Sequence, residues 1–358
     1  MSEQRIRIPS ERGVSTVVVG AGILAGLDRL VAEVGMPSLR AVVSNTTVGP
    51  LYARQVAAGL DVAVVELEDG ERFKVWSAVE RCCGSWLEAR LSRGDAVLAV
   101  GGGVVTDTAG FAASVYMRGI AWGAVPTSLL AMVDASVGGK TGVNLAEGKN
   151  LVGTFWPPAL VVADVATLET LDERQLRSGL VEVVKAAWIG DRDLLDLVDP
   201  PPRRLGEWAP ERWTELVARA VRFKAAVVAR DEREHGWRRV LNLGHTLGHG
   251  LEAATGYERV SHGEAVAWGM IAAGRIARRR GLLGPRPLDR LETCLRGLGP
   301  LPRLGGIDPQ EVVAHVERDK KRDVAGIGWV LPTDDGVVLD QRVDPGEVAD
   351  VLDEIGRG

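Results

Sequence analysis

The sequence predicts an α/β N-terminal domain, a Rossmann-like parallel sheet, followed by an all-α C-terminal domain that binds a metal. Three observations predict it. Short β-rich runs alternate with amphipathic stretches through the first half, the pattern of a doubly wound sheet. From about Leu168 onward the periodicity is mostly helical. Three of the five histidines, His245, His249 and His262, fall within eighteen residues of that helical part. The expected division gives domains 1–166 and 167–358.

Strands are expected at 17–19, 41–44, 62–67, 96–100, 122–125 and 160–164, each a short, largely apolar run. Strands buried on both faces of a parallel sheet read as continuous apolar runs rather than as alternation. Amphipathic stretches at 23–34 and 75–91 supply crossover helices. Phe155-Trp156-Pro157-Pro158 interrupts the alternation before the last strand, since proline cannot donate to a ladder. Further helices are expected at 172–189, 210–230, 242–254, 264–280 and 286–298.

A chain of 358 residues is long for one core and suits two. A net charge of −5 and a pI near 5.7 argue against a general nucleic-acid binder. An anionic ligand would then need a local cluster of cations. The first residues lack an apolar signal core, and the apolar stretch 109–133 is broken by Arg118 and Pro126. No membrane span is therefore expected. Cys82, Cys83 and Cys294 form no CxxC and no disulfide framework, which fits a reducing cytoplasm.

Two glycine clusters follow strands. The first is Gly20, Gly22 and Gly26; the second is Gly101-Gly102-Gly103, leading into Val104, Val105, Thr106 and Asp107. Glycines at a strand's end let a phosphate approach the N–H groups that open the next helix. The first cluster lacks an acidic residue at the end of its second strand, which closes on Ser44-Asn45. The second cluster is the better candidate. Beyond it, the segment 133–150 carries Asp134, Lys140, Asn144, Lys149 and Asn150 among glycines and small apolar residues. Lysines supply point charges for phosphate or carboxylate. The segment is not a Walker loop, because Asp134 stands six residues before Lys140.

His245 and His249 are four apart, so on a helix they share a face. His262 follows an apparent turn and could close on the same point. Imidazole clusters of this kind serve zinc or a similar divalent ion. Glu182 lies on an apolar helical face and needs a partner when buried. Lys185, three residues on, or a metal could be that partner. Lys224, Arg238 and Asn242 place cationic and amide donors upstream of His245.

Together these segments resemble the 3-dehydroquinate synthase family of the sugar-phosphate cyclases. The resemblance runs nearly end to end, through Asp69-Gly70-Glu71-Arg72-Phe73-Lys74, the second glycine cluster, Tyr116-Met117-Arg118-Gly119 and Thr127-Ser128. It continues through Gly148-Lys149-Asn150, Glu182-Val-Val-Lys185, Asn242-Leu-Gly-His245-Thr-Leu-Gly-His249, His262-Gly-Glu264 and Asp319-Lys320-Lys321. It implies catalytic NAD, a divalent metal (zinc or cobalt), a sugar acid phosphate substrate and a homodimer, with no nucleic-acid partner. By resemblance the metal ligands are Glu182, His245 and His262, while His249 moves to the substrate. NAD would be held by Asn45, Asp69, Gly70, Glu71, Lys74, Gly102, Gly103, Val104, Val105, Thr106, Asp107, Thr127, Ser128, Lys140, Lys149, Thr167, Leu168, Glu169 and Thr170. Substrate and proton transfer would fall to Asp134, Lys140, Asn150, Lys185, Lys224, Glu234, Arg238, Asn242, His249 and Lys320. Arg118 would reach a partner subunit's site.

The family reaction turns 3-deoxy-D-arabino-heptulosonate 7-phosphate into 3-dehydroquinate and phosphate, with NAD returned unchanged. Departures from the family pattern are Thr106 for a usual glycine, Ser128 for threonine and Ala135 for serine; Val181 and Ala186 also differ. Aminodehydroquinate synthase and other sugar-phosphate cyclases of secondary metabolism are the near alternatives. A metal- and NAD-dependent polyol dehydrogenase and a non-catalytic regulatory relative are the distant ones.

Overall fold

Seven strands form the main sheet, in the order β1-β2-β9-β6-β5-β3-β4. They are β1 (Gln4–Ser10), β2 (Gly13–Gly20), β3 (Leu39–Asn45), β4 (Ala63–Leu67), β5 (Ala96–Gly101), β6 (Ala121–Pro126) and β9 (Leu160–Asp164). A separate hairpin pairs β7 (Lys140–Leu145) with β8 (Gly148–Phe155). The protein is seen here as a computed structural model that describes residues 3–199, 201, 204–256, 259–322 and 328–357; side chains are described for these except 319–322 and 357. The chain forms two compact units, Met1–Leu176 with Trp208–Arg233, and Arg177–Glu207 with Glu234–Gly358.

In the first unit, the six expected strands are β2, β3, β4, β5, β6 and β9, all parallel to one another. β1 is an antiparallel edge strand on β2. Its alternation rests on Ile6 and Ile8, buried among charged neighbours, too short a signal to read. The helix α7 (Pro210–Arg230) packs against β1 and β2. It therefore belongs with the sheet, although its position in the sequence lies beyond the helical transition. Val18, Val42, Leu98, Val125 and Leu160 make one core with Leu27 and Leu30 of α1 (Leu27–Glu33). On β5 and β6 lies α4 (Gly103–Val115).

The first glycine cluster is closed to a ligand by the chain itself. The Asp164 carboxylate accepts from Gly22 N at 2.8 Å and from Leu24 N at 2.8 Å. Those N–H groups, which would have faced a phosphate, are spent on the end of β9.

The second unit is helical, as expected, with one hairpin of β10 (Trp329–Thr333) and β11 (Gly336–Gln341) that its sequence pattern did not announce. Its central helix α9 (His262–Arg279) is buried almost all round from Gly263 to Ala277. Such a helix sits inside a bundle, here against α8 (His245–Ala254), α10 (Pro285–Gly297) and α12 (Pro345–Arg357). Where a helix from 242 was expected, a 3-10 turn (Trp237–Asn242) precedes α8. Among the described residues, no helix is long and apolar enough to cross a membrane.

Candidate active site

Three elements of the second unit bring Glu182, His245 and His262 together. Glu182 lies on α5 (Glu173–Gly190), buried between Val181 and Val183. His245 opens α8 and His262 opens α9. Each ligand atom of the three lies within 4.8 Å of the others. Glu182 Oε1 is 3.7 Å from Nε2 of His245 and 3.7 Å from Nε2 of His262. It is buried and has no hydrogen-bond partner.

A buried carboxylate oxygen without a partner is costly. A cation among the three residues would remove that cost. Ligands at 2.0–2.2 Å from a tetrahedral zinc stand about 3.4 Å apart, close to the 3.7 Å between Glu182 Oε1 and each imidazole. The donor set of two imidazoles and one carboxylate suits a catalytic divalent ion with an open position.

The outer atoms of the site are also held. His245 Nδ1 lies 3.3 Å from Leu243 O, and His262 Nδ1 lies 3.3 Å from Glu252 Oε2. Both rings thus turn Nε2 toward Glu182, the arrangement by which outer partners set tautomer and orientation. Burial alone would lower the His262 pKa, but the hydrogen bond and charge of Glu252, with Glu182 behind it, raise it. Lys185 forms an ion pair with Glu182 Oε2, so the two oxygens of Glu182 have different surroundings.

Close packing of backbone fixes these helices. The start of α9 is set by a capping box in which Ser261 and Glu264 exchange bonds. Gly263 N donates to Ser178 Oγ at 3.0 Å, and a Cβ on Gly263 would lie 2.3 Å from Ser178 Cα. A Cβ on Gly269 would lie 1.8 Å from Gly244 O. Glycines therefore let α9 meet both α5 and the entry to α8, which is how residues distant in sequence share one point.

His249 is exposed one turn along α8, its ring centroid 5.5 Å from that of His245. It is outside the ligand group. Arg238 is buried, at 2% exposure, on the turn that runs into α8, with Asn242 four residues on. Glu234 precedes this turn in a left-handed conformation at φ 59°. The side chain of Lys320 lies outside the described residues.

Glu252 was not legible as a site residue. It sits in α8 like any core helix position, and its role needs His262, ten residues on, folded back onto it. Replacing Glu252 with Gln is expected to weaken zinc binding by about tenfold or more, read by competition with a chelator. Unchanged affinity would show that Glu252 does not orient His262.

The first unit gathers the residues expected to hold NAD. Gly102 caps α4 directly after β5, so the first N–H groups of the helix face outward at the strand's end. Thr106 is buried, and its hydroxyl donates to Gly103 O at 3.1 Å. Its departure from the family glycine is thus absorbed within the helix. Val105 is buried under the same turn, as is Thr127, whose N donates to Gly101 O. Ser128 Oγ accepts from Ala131 N at 3.3 Å.

Lys74 is buried, ion-paired to Asp107, and donates to Asn150 Oδ1 at 2.6 Å. Burial pushes the Asp107 carboxyl up, with Lys74 pulling against it. Asn144 ties the strand β7 to this group: its Nδ2 donates to Glu71 Oε1 at 2.8 Å and its Oδ1 accepts from Asn150 N at 2.9 Å. The sequence showed Asn144 without assigning it a role. Asn150 itself is held at φ 55°. Asp69 accepts from Asn45 Nδ2 at 2.6 Å and from Thr47 Oγ1 at 2.7 Å. Gly70 stands between this pair and Glu71 at φ 113°.

Thr167 and Leu168 are buried in the 3-10 turn after β9, whereas Glu169 and Thr170 are exposed. Tyr52 OH reaches Thr170 Oγ1 at 2.8 Å. Lys224, buried on α7, pairs with Asp134 and donates to Asp134 O at 2.6 Å. Lys140 is exposed at the start of β7, and Lys149 is half-buried on β8.

Residues 64–178 match the model of the 3-dehydroquinate synthase N-terminal domain, and residues 179–322 match the C-terminal one. A 3-dehydroquinate synthase of Citrifermentans bemidjiense is 43% identical over 326 residues, covering 90% of each chain. Among solved structures, a 2-epi-5-epi-valiolone synthase from Streptomyces hygroscopicus subsp. jinggangensis, with NAD⁺ and Zn²⁺ bound, has a TM-score of 0.87 at 32% identity, covering 96% of this chain and 97% of that one. A 2-deoxy-scyllo-inosose synthase complexed with carbaglucose-6-phosphate, NAD⁺ and Co²⁺ has a TM-score of 0.87 at 27% identity, covering 98% and 99%.

Proposed function

This chain belongs to the 3-dehydroquinate synthase family, and from that membership we propose that it makes 3-dehydroquinate and phosphate from 3-deoxy-D-arabino-heptulosonate 7-phosphate. It is then a phosphate-eliminating carbon–oxygen lyase of the shikimate pathway, serving aromatic amino-acid biosynthesis. When bound, NAD⁺ would take and return one hydride, and a zinc or cobalt ion would act as a Lewis acid on the substrate hydroxyls.

Glu182, His245 and His262 are the residues that would hold the ion. Lys185 neutralises the second oxygen of Glu182. The loop of Asp69 to Lys74, the N-terminus of α4 from Gly102 through Val104, Thr127, Ser128, Lys149 and the turn of Thr167 to Thr170 would hold NAD. Lys140, Asn150, Lys320 and Arg118 suit the substrate phosphate. Lys224, Arg238 and Asn242 suit its carboxylate. Asp134 holds Lys224 in place. Glu234 and His249 would move protons.

The observation that carries a carboxylated substrate is Arg238. Its guanidinium lies at 2% exposure on the turn leading into a metal-ligand helix, and its planar fork of donors matches a carboxylate bidentately. Cyclases acting on neutral sugar phosphates have no carboxylate to pair with it. A cytoplasmic homodimer completes the proposal; the free thiols of Cys82, Cys83 and Cys294 suit a reducing compartment.

The test is incubation with the heptulosonate phosphate, catalytic NAD⁺ and zinc, following phosphate and dehydroquinate. Parallel arms offer sedoheptulose 7-phosphate, glucose 6-phosphate and the amino analogue of the substrate. Turnover in a carboxylate-free arm alone would favour a sister cyclase, the reading to which the valiolone synthase likeness points. Turnover of the amino analogue alone would make the chain an aminodehydroquinate synthase. NADH formed in proportion to product would make it a dehydrogenase.

A further inference from the structure

We propose that the indole of Trp156 is a positioning residue for Arg118. This rests on the reading above that Arg118 binds the substrate phosphate.

Arg118 stands on an unusual arch. Met117 (φ 48°) and Arg118 (φ 68°) are consecutive residues in the left-handed region, followed by Gly119 at φ 116°. Side chains of L-residues disfavour this backbone, and such outliers persist only where surroundings hold them. Both Met117 and Arg118 are exposed, so their own side chains do not supply that hold. The ends of the arch must do so.

The first end is anchored by Tyr116. Its hydroxyl donates to Leu91 O at 3.0 Å, and its ring packs edge-on against Trp86, centroids 5.4 Å apart. The second end is anchored by Trp156. Trp156 Nε1 donates to Ile120 O at 3.0 Å. The ring lies so close to Gly119 that a Cβ there would stand 2.2 Å from it. The Arg12 guanidinium covers the ring at 3.9 Å from its centroid. The indole thus determines where the arch ends, and with it the direction in which Arg118 leaves the surface.

The backbone of the same residue has a second task. Trp156 N donates to Gly139 O at 2.7 Å, on the turn that enters Lys140. A phenylalanine at 156 keeps this backbone bond and loses the indole N–H and the outer ring edge that abuts Gly119. The two tasks can therefore be separated by mutation.

The experiment uses the full-length enzyme with zinc and NAD⁺ and four chains: the parent, Trp156→Phe, Arg118→Ala and the double variant. Steady-state kinetics with the heptulosonate phosphate are paired with calorimetric titration of inorganic phosphate. In the parent background, Trp156→Phe is expected to raise KM and the phosphate Kd about fivefold, the scale of one lost hydrogen bond, with kcat within twofold. In the Arg118→Ala background it should change neither. Equal effects in both backgrounds, or a loss of thermal stability with KM and phosphate Kd unmoved, would overturn the proposal. Trp156→Ala, which also removes the remaining ring and the face that Arg12 covers, should exceed Trp156→Phe in both readouts; the reverse order would count against it. Failure of the parent to turn over the heptulosonate phosphate would refute the assigned reaction, while phosphate titration still reads the coupling of Trp156 to Arg118.

Discussion

Replacing His262 with Ala is expected to remove metal binding and turnover together. The imidazole supplies one of two nitrogen donors that face Glu182 Oε1 at 3.7 Å. Without it a cation would have Glu182 and His245 alone, below the three protein ligands usual for a catalytic zinc. Lewis-acid assistance is worth several kcal/mol, so kcat/KM should fall by about a thousandfold or more. The fold should survive, because Ser261 and Glu264 cap α9 without the histidine and Gly263 still bonds to Ser178. Metal content by elemental analysis, turnover and circular dichroism form one test. Full activity with a stoichiometric ion would sink the ligand assignment.

Replacing Arg238 with Ala is expected to harm substrate binding above all. The residue is buried on the turn before α8, where its charge is little screened. A charge-assisted hydrogen bond to a carboxylate is worth about 1.5–3 kcal/mol, which predicts a rise in KM of about 10- to 100-fold. Metal content should stay at the parent level, since the three ligands do not include Arg238. Unchanged KM and kcat would refute the carboxylate role. Rescue by Lys should be partial, because an ammonium cannot reproduce the planar fork of guanidinium.

How far these residues could be read in advance follows from the range of the interactions that define them. The six parallel strands were legible because burial on both faces makes each a continuous apolar run, as in β5 from Ala96 to Gly101. The hairpin of β7 and β8 was not, because its glycines, lysines and asparagines carry no strand alternation. Its position is decided by contacts such as Asn144 with Glu71. α7 reads as a helix in sequence, but nothing local says that it lies on β1 and β2 rather than in the helical unit.

By itself, the sequence determined the chemistry on offer. It contained the imidazoles, the carboxylate at Glu182, the lysines and the glycine turn before α4, in an order specific enough to resemble one family. It also carried the helix and strand periods, which depend on neighbours a few residues away. Tertiary structure decided which groups meet. It closed the first glycine cluster with Asp164 from the far end of β9, put Glu252 behind His262, and seated Trp156 beneath the arch of Arg118. The physical reason is the same each time. A hydrogen bond or ion pair between residues far apart in sequence exists only once the core has packed, and no local period records it.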